Sequence, residues 1–277
     1  MRVLSILFMN YFDKKIIWVT GASSGIGREI AIQLSKYDCT LILTARRKEQ
    51  LEDTKLKCGN ANVQIHPFDL SKIDEIDDFS LRVQKEVGEI DILINNAGVS
   101  AWSGVEETNF KVYQDVMELD FYSVVKLIQS ILPAMISRKS GQIVSVSSLL
   151  GKFAIKKRSV YASAKHALQG FMDALRAEVY EHNIKVNTVA PGLVDTEVGM
   201  KALTEDGSSY GKNDRGHATE GMKADTAANM IISAIIKNKR EHYVIPFFSF
   251  SRVALYLARF TPNLAARIAR NYNEDGK

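Results

Sequence analysis

The run Tyr161-Ala162-Ser163-Ala164-Lys165 sets a phenol and an amine four positions apart. In a helix that step is about one turn, with a rise of about 6 Å, so both side chains leave from the same face. A tyrosine, with an ordinary pKa of about 10, is a poor acid-base group at neutral pH. A neighbouring ammonium favours the phenolate and draws that value towards the working range of a proton donor and acceptor. Upstream, Ser147-Ser148 closes a β-branched run and would bring hydroxyls into the same crevice. Such a Tyr-Lys pair is common on solvated helix surfaces, so it gains meaning only from its surroundings.

A second cluster is Thr20-Gly21-Ala22-Ser23-Ser24-Gly25-Ile26-Gly27, directly after an apolar run. Glycines at 21, 25 and 27 allow a tight turn and a close approach of backbone to a pyrophosphate, whose charge a helix amino terminus stabilises. No Gly-Lys-Ser/Thr follows, so this is not a Walker loop. A turn with no ligand is the plainer reading. Further on, Thr44-Ala45-Arg46-Arg47 follows the second apolar run without a carboxylate. An acidic residue there would favour NAD, whereas arginine suits the 2′-phosphate of NADP through paired, charge-assisted hydrogen bonds. Solvated arginines opening the next helix are the alternative. The reading favoured is NADP, bound through Arg46.

The elements that must position these groups are legible as alternating patterns. Apolar, β-branched runs predict strands at 16–20, 41–44, 63–66, 92–94, 143–146, 184–189 and 242–245. Between them lie helical patterns ending near 36 and 57, an amphipathic stretch carrying Ile73, Ile76, Phe79, Val83 and Val87, and helices at 112–137, 161–181 and 224–237. Strands alternating with crossover helices predict an α/β fold with a doubly wound parallel sheet of Rossmann type. Right-handed crossovers gather the strand carboxyl ends on one edge, where ligands bind. The expected organisation is an amino-terminal flap or weak anchor at 1–13, a dinucleotide-binding catalytic domain at 14–248 and an amphipathic extension at 249–277.

Composition narrows the field. The chain has 277 residues, 46% hydrophobic and 25% charged, which suits one large α/β domain that needs no disulfide or metal. A net charge of +4, with no block of like charge, gives no support for nucleic-acid binding. Two cysteines, Cys39 and Cys58, exclude a secreted disulfide framework and a CxxC metal site and point to a reducing, intracellular compartment.

With these motifs in order, the chain resembles a short-chain dehydrogenase/reductase. The resemblance rests on Thr20 to Gly27, Asn95-Asn96-Ala97-Gly98, Ser148, Tyr161 with Lys165, and Pro191-Gly192 with Thr196. The stretches 132–139 and 161–168 further resemble the group named dehydrogenase/reductase member seven. The likeness implies that Ser148, thirteen residues before Tyr161, orients the substrate oxygen in preference to Ser147. Tyr161 would exchange a proton with that oxygen, and Lys165 would hold the nicotinamide ribose. Of the glycine-rich turn, Gly21, Ser23, Ser24, Gly25, Ile26 and Gly27 would contact the cofactor. Asp69 and Leu70 would meet the adenine, Asn95, Ala97 and Gly98 would line the trough, and Pro191, Gly192, Val194 and Thr196 would close over the nicotinamide. One position departs from the pattern: where the family usually carries asparagine in its proton relay, this chain has Asp120. A homodimer or homotetramer is also implied.

The implied activity is an NADP(H)-dependent interconversion of a carbonyl and an alcohol. A catalytically silent NADPH-binding scaffold or redox sensor is the alternative, hinted at by Asp120. The loop 99–102 and the segment 149–155 should border an apolar substrate cleft suited to a steroid-, retinoid- or lipid-like molecule, with 204–220 as a lid. The termini bear on location in the cell, cytoplasmic or peripherally attached to an internal membrane. Residues 3–9 are apolar apart from Ser5 but too short to span a bilayer. The carboxyl end sets Arg252, Arg259, Arg267 and Arg270 among Phe250, Val253, Leu257, Phe260, Leu264 and Ile268. That pattern predicts either a tail packed on the sheet or a second subunit, or a helix on an anionic membrane surface.

Overall fold

Ile16–Thr20 forms strand β1, and its side chains divide by the two-residue period of a strand. Ile17 and Val19 enter one core, while Trp18 enters the other and donates from Nε1 to Thr44 Oγ1 at 2.9 Å. The computed structural model describes residues 10–211, 221–246 and 248–271. After β1 come helix α1 (Gly25–Leu34), β2 (Thr40–Thr44), α2 (Lys48–Lys57), β3 (Asn62–Ile65), α3 (Ile76–Val87) and β4 (Ile92–Asn95). The chain continues through α4 (Phe110–Met117), α5 (Ser123–Arg138), β5 (Gly141–Val146), α6 (Ser159–Glu178) and β6 (Ile184–Pro191). A short pair, β7 (Val194–Asp195) and β8 (Met222–Lys223), precedes α7 (Ala224–Ile236), β9 (Glu241–Val244), α8 (Phe250–Phe260) and α9 (Pro262–Asn271).

Seven strands form one sheet in the order β3-β2-β1-β4-β5-β6-β9, and every pairing is parallel. The order reverses between β1 and β4, so the loops after these two strands part there and leave a crevice at the carboxyl edge. One face of the sheet is covered by α1 and α7 through Ile30, Leu34, Ile231 and Ile235, and the other by α3, α5 and α6 through Val83, Leu127, Met135, Leu168 and Met172. Each such side chain contributes roughly 1.5–3 kcal/mol when fully buried.

The predicted long helix is a continuous helical run, Phe110–Arg138, that is long and apolar enough to cross a membrane. Here Val116, Val124, Leu127, Ile128, Ile131 and Met135 are buried in the protein core, which accounts for its apolarity. The run is not uniform: Glu118–Tyr122 is a π-helical turn between α4 and α5, a feature that recurs at functional sites. The helix predicted from Ile73 starts with a 3₁₀ turn, Ile73–Glu75, before α3. The carboxyl-terminal pattern is two helices rather than one, since Pro262 has no N–H to continue α8 and instead opens α9. Of the expected amino-terminal flap, residues 1–9 lie outside the described residues. Phe12 is fully buried edge-on to Tyr37, and Tyr11 donates to Gln142 Oε1 at 2.8 Å.

Candidate active site

The glycine-rich turn joins β1 to α1. Gly21 and Gly25 hold φ of +64° and +54°, a region that side chains with a Cβ rarely adopt. A Cβ on Gly21 would also stand 2.8 Å from the Ala97 Cα, in the loop after β4. The two loops are joined by hydrogen bonds. Thr20 Oγ1 accepts from the backbone N–H groups of Asn96 and Ala97, each at 3.0 Å, and Asn96 Nδ2 donates to the Thr20 carbonyl at 3.1 Å. Ser24, the N-cap of α1, makes no side-chain capping bond, and the first turn carries no acidic residue. The free N–H groups and the positive end of the helix therefore suit an anion.

Across the crevice, Ser148 ends the chain segment leaving β5 and accepts from the Leu150 N–H at 3.1 Å. Tyr161 is half-buried in the first turns of α6, and Lys165 Nζ lies 5.5 Å from the centre of its ring. Nζ also donates to the Val146 carbonyl at 3.3 Å. The π turn brings Asp120 inwards, where it is 0% exposed, and its Oδ2 lies 3.0 Å from Lys165 Nζ, an ion-pair contact off the hydrogen-bonding direction. Oδ1 accepts from the Val99 N–H at 2.7 Å. Burial pushes the Asp120 carboxyl up, against the opposing pull of Lys165. Burial works to lower Lys165, but the negative partners Asp120 and Tyr161 carry it above the ordinary lysine value, so it stays charged.

These groups line one cleft of about 1240 Å³. At one end stand Arg46, Arg47, Phe68, Asp69 and Leu70, then Gly21, Ser23 to Ile26 and Thr196, then Ala97, Gly98, Pro191, Gly192 and Val194 beside Ser148, Tyr161 and Lys165. The far end is mostly apolar, walled by Leu149, Leu150, Phe153 and Ile155, with Lys152 among them, and by the small residues Ala254, Ala258, Ala265 and Ala269 of α8 and α9. Residues 15–207 match the short chain dehydrogenase family. The chain belongs to that family.

Relatives and solved structures agree. The chain is 38% identical over 263 residues to a dehydrogenase/reductase SDR family protein 7-like of Drosophila melanogaster, covering 93% of this chain and 80% of that one. A short-chain dehydrogenase from Streptomyces avermitilis superposes with a TM-score of 0.78 at 28% identity, covering 92% of this chain and 96% of its own. A metagenomic short-chain oxidoreductase in complex with NADP gives a TM-score of 0.71 at 26% identity, covering 86% and 99%.

Several sequence expectations for this short-chain dehydrogenase need correction. Asn95 was expected in the cofactor trough, but it is 2% exposed and donates to Ser145 Oγ at 3.5 Å; its neighbour Asn96 faces the cleft instead. Gly27 was expected at the pyrophosphate, but it lies behind the cleft, where a Cβ would collide with Asn96 Nδ2 and the Gly21 carbonyl. Ser147, the serine not chosen from the sequence, also lines the cleft, with its hydroxyl accepting from Gln169 Nε2 of α6 at 3.2 Å. Trp102 does not border the cleft: Arg158 stacks on it at 4.2 Å and donates to Ser100 Oγ at 3.0 Å. The carboxyl-terminal helices wall the cleft, an arrangement that neither earlier reading included. Of the expected lid, Thr204 caps a tight turn with Asp206 and Ser208 just after Leu203 pairs with Ala101, while residues 212–220 lie outside the described residues. Among the described residues, no group of three His, Cys, Asp or Glu could hold a metal ion.

Proposed function

We propose that this chain is an NADP(H)-dependent oxidoreductase that interconverts a carbonyl and an alcohol on a lipophilic small molecule, with Tyr161 handling the proton. The observation that carries this reading is the convergence of Ser148, Tyr161 and Lys165 on the cleft that also holds the glycine-rich turn. The turn and the α1 amino terminus would hold the pyrophosphate, Arg46 the 2′-phosphate, and Lys165 the nicotinamide ribose. When bound, the cofactor supplies the hydride chemistry. Ser148 donates a hydrogen bond to the substrate oxygen and fixes its position. Tyr161 delivers its proton to that oxygen in reduction and withdraws it in oxidation, with the Lys165 ammonium stabilising the phenolate. The apolar far wall excludes water and favours a lipophilic carbonyl compound.

The test is NADPH consumption against a panel of lipophilic ketones and aldehydes, with Tyr161→Phe alongside. Turnover should fall by at least about 10²-fold in the variant while NADPH binding persists. A silent nucleotide-binding scaffold would bind NADPH and consume none with any compound.

We further propose that the outer face of α8 and α9 rests on an anionic membrane surface. Val253, Tyr256, Phe260 and Leu264 are exposed there, and residues 248–271 carry four arginines and no acidic residue.

A further inference from the structure

Arg158 is the N-cap of α6, within one turn of Tyr161, and is 4% exposed, a depth at which arginine persists only where its charge is met. The mechanism proposed above makes no use of it. We propose that Arg158 is a positioning residue that ties the wall at the substrate end of the cleft to the start of α6, and so fixes where a carbonyl compound lies relative to Tyr161. The placing of the compound rests on the reading of the cleft as an oxidoreductase site; the tie itself does not.

The wall is a ribbon of two strips, the loop 99–103 after β4 and the segment 202–210 after β7. The Leu203 N–H donates to the Ser100 carbonyl and the Trp102 N–H to the Leu203 carbonyl, both at 2.8 Å. The Tyr210 N–H donates to the Ala202 carbonyl at 2.8 Å, and the Tyr210 ring leans on Trp102 with 6.2 Å between ring centres. Val99, Ser100, Leu203 and Ser209 present this ribbon to the cleft.

Arg158 joins the ribbon to α6. Its Cζ lies 4.2 Å from the centre of the Trp102 ring, and Nη1 donates to Ser100 Oγ at 3.0 Å and to the Ala101 carbonyl at 3.3 Å. One flat cation thereby holds three consecutive residues of the loop, 100 to 102. Its neighbours extend the joint. The Ser103 N–H donates to the Lys157 carbonyl at 3.0 Å, and Ser159 Oγ shares a hydrogen bond with the Tyr113 hydroxyl of α4 at 3.0 Å. Charge alone does not explain the choice of residue. Lysine carries the same charge but has neither a plane to stack on an indole nor donors set in a fixed fork.

Hydrogen exchange on the full chain, read by mass spectrometry, tests the tie without a substrate. Arg158→Lys should speed exchange about tenfold or more in peptides covering 99–103 and 202–210 and leave the glycine-rich turn, 20–27, unchanged. Trp102→Leu should do the same, while Trp102→Phe, which keeps an aromatic face, should retain most of the protection. If Arg158→Lys does not fold, the two Trp102 variants decide. Unaltered exchange in folded Arg158→Lys or Trp102→Leu, or Trp102→Phe as fast as Trp102→Leu, overturns the proposal. Turnover then tests the consequence, with phenanthrenequinone as the probe. Arg158→Lys should raise the KM for the quinone about tenfold or more and move kcat and the KM for NADPH by less than about threefold. A loss confined to kcat, or shared equally by NADPH, overturns the role in placing the compound. A wild-type chain that reduces no compound removes the proposed enzyme and that role with it, while exchange still decides whether Arg158 holds the wall.

Discussion

Gly27 and Asn96 occupy the same space from opposite sides: any Cβ on the glycine would collide with the side-chain nitrogen of the asparagine. That nitrogen is also the donor that joins the β4 loop to the β1 carbonyl. Gly27→Ala must therefore displace both Asn96 and the Gly21 carbonyl, which a Cβ would also approach to 2.4 Å, and loosen both loops. The expected cost is about 1–3 kcal/mol, read as a fall of several degrees in Tm, together with weaker NADPH binding. Gly170→Ala, which meets nothing within 4 Å in the middle of α6, is the control and should be neutral or stabilising. Equal behaviour of the two variants would show that Asn96 and the Gly21 backbone yield without cost.

Arg46 and Arg47 are exposed at the end of the cleft, with no carboxylate in the turn after β2. Arg46→Ala should raise the KM for NADPH roughly tenfold or more, the loss of one charge-assisted pair, and change the KM for NADH little. Parallel losses with both cofactors would remove Arg46 from 2′-phosphate recognition.

Much of this could be read from residue order, and the parts that could not have physical causes. The strands announced themselves as β-branched runs because the sheet is covered on both faces. That same double burial hid the choice between Asn95 and Asn96, since both neighbours of a central strand end can face protein. Gly27 was misread for a related reason. A glycine that admits a ligand and one that admits another side chain look alike until the neighbouring loop is in place. The π turn carried no sequence signal of its own, although the departure at Asp120 marked its position. The carboxyl-terminal pattern announced amphipathic helices, but a pattern names a face without naming what it meets.

Both thiols lie inside the core near the first two strands, Cys39 at 7% and Cys58 at 6% exposure. Burial, with help from nearby Asp13 and Asp38, pushes the Cys39 thiol up to about 11, and burial also raises Cys58. At neutral pH neither is a thiolate, so iodoacetamide should leave the native chain unlabelled and modify both cysteines once it is unfolded. Rapid labelling of the folded protein would show that at least one thiol is accessible and readily ionised.

The outward aromatic residues of α8 and α9 give the membrane proposal its measurement. The full chain should co-sediment with vesicles containing phosphatidylserine and much less with phosphatidylcholine alone. Tyr256→Glu with Phe260→Glu should abolish the difference while the melting temperature stays within a few degrees. If the same pair of changes instead converts a dimer to a monomer without altering sedimentation, the face belongs to a second copy of the chain.

The hydrogen bonds from Asn96 and Ala97 to Thr20 join the nucleotide end of the groove through the chain's own contacts. A coenzyme arriving there finds its berth already assembled and spends little ordering entropy on docking. The opposite end is different, because α8 and α9 contain no buried residue and are free to settle around guests of unequal girth. Strictness towards one partner and tolerance towards the other would then be built into the two ends of a single groove.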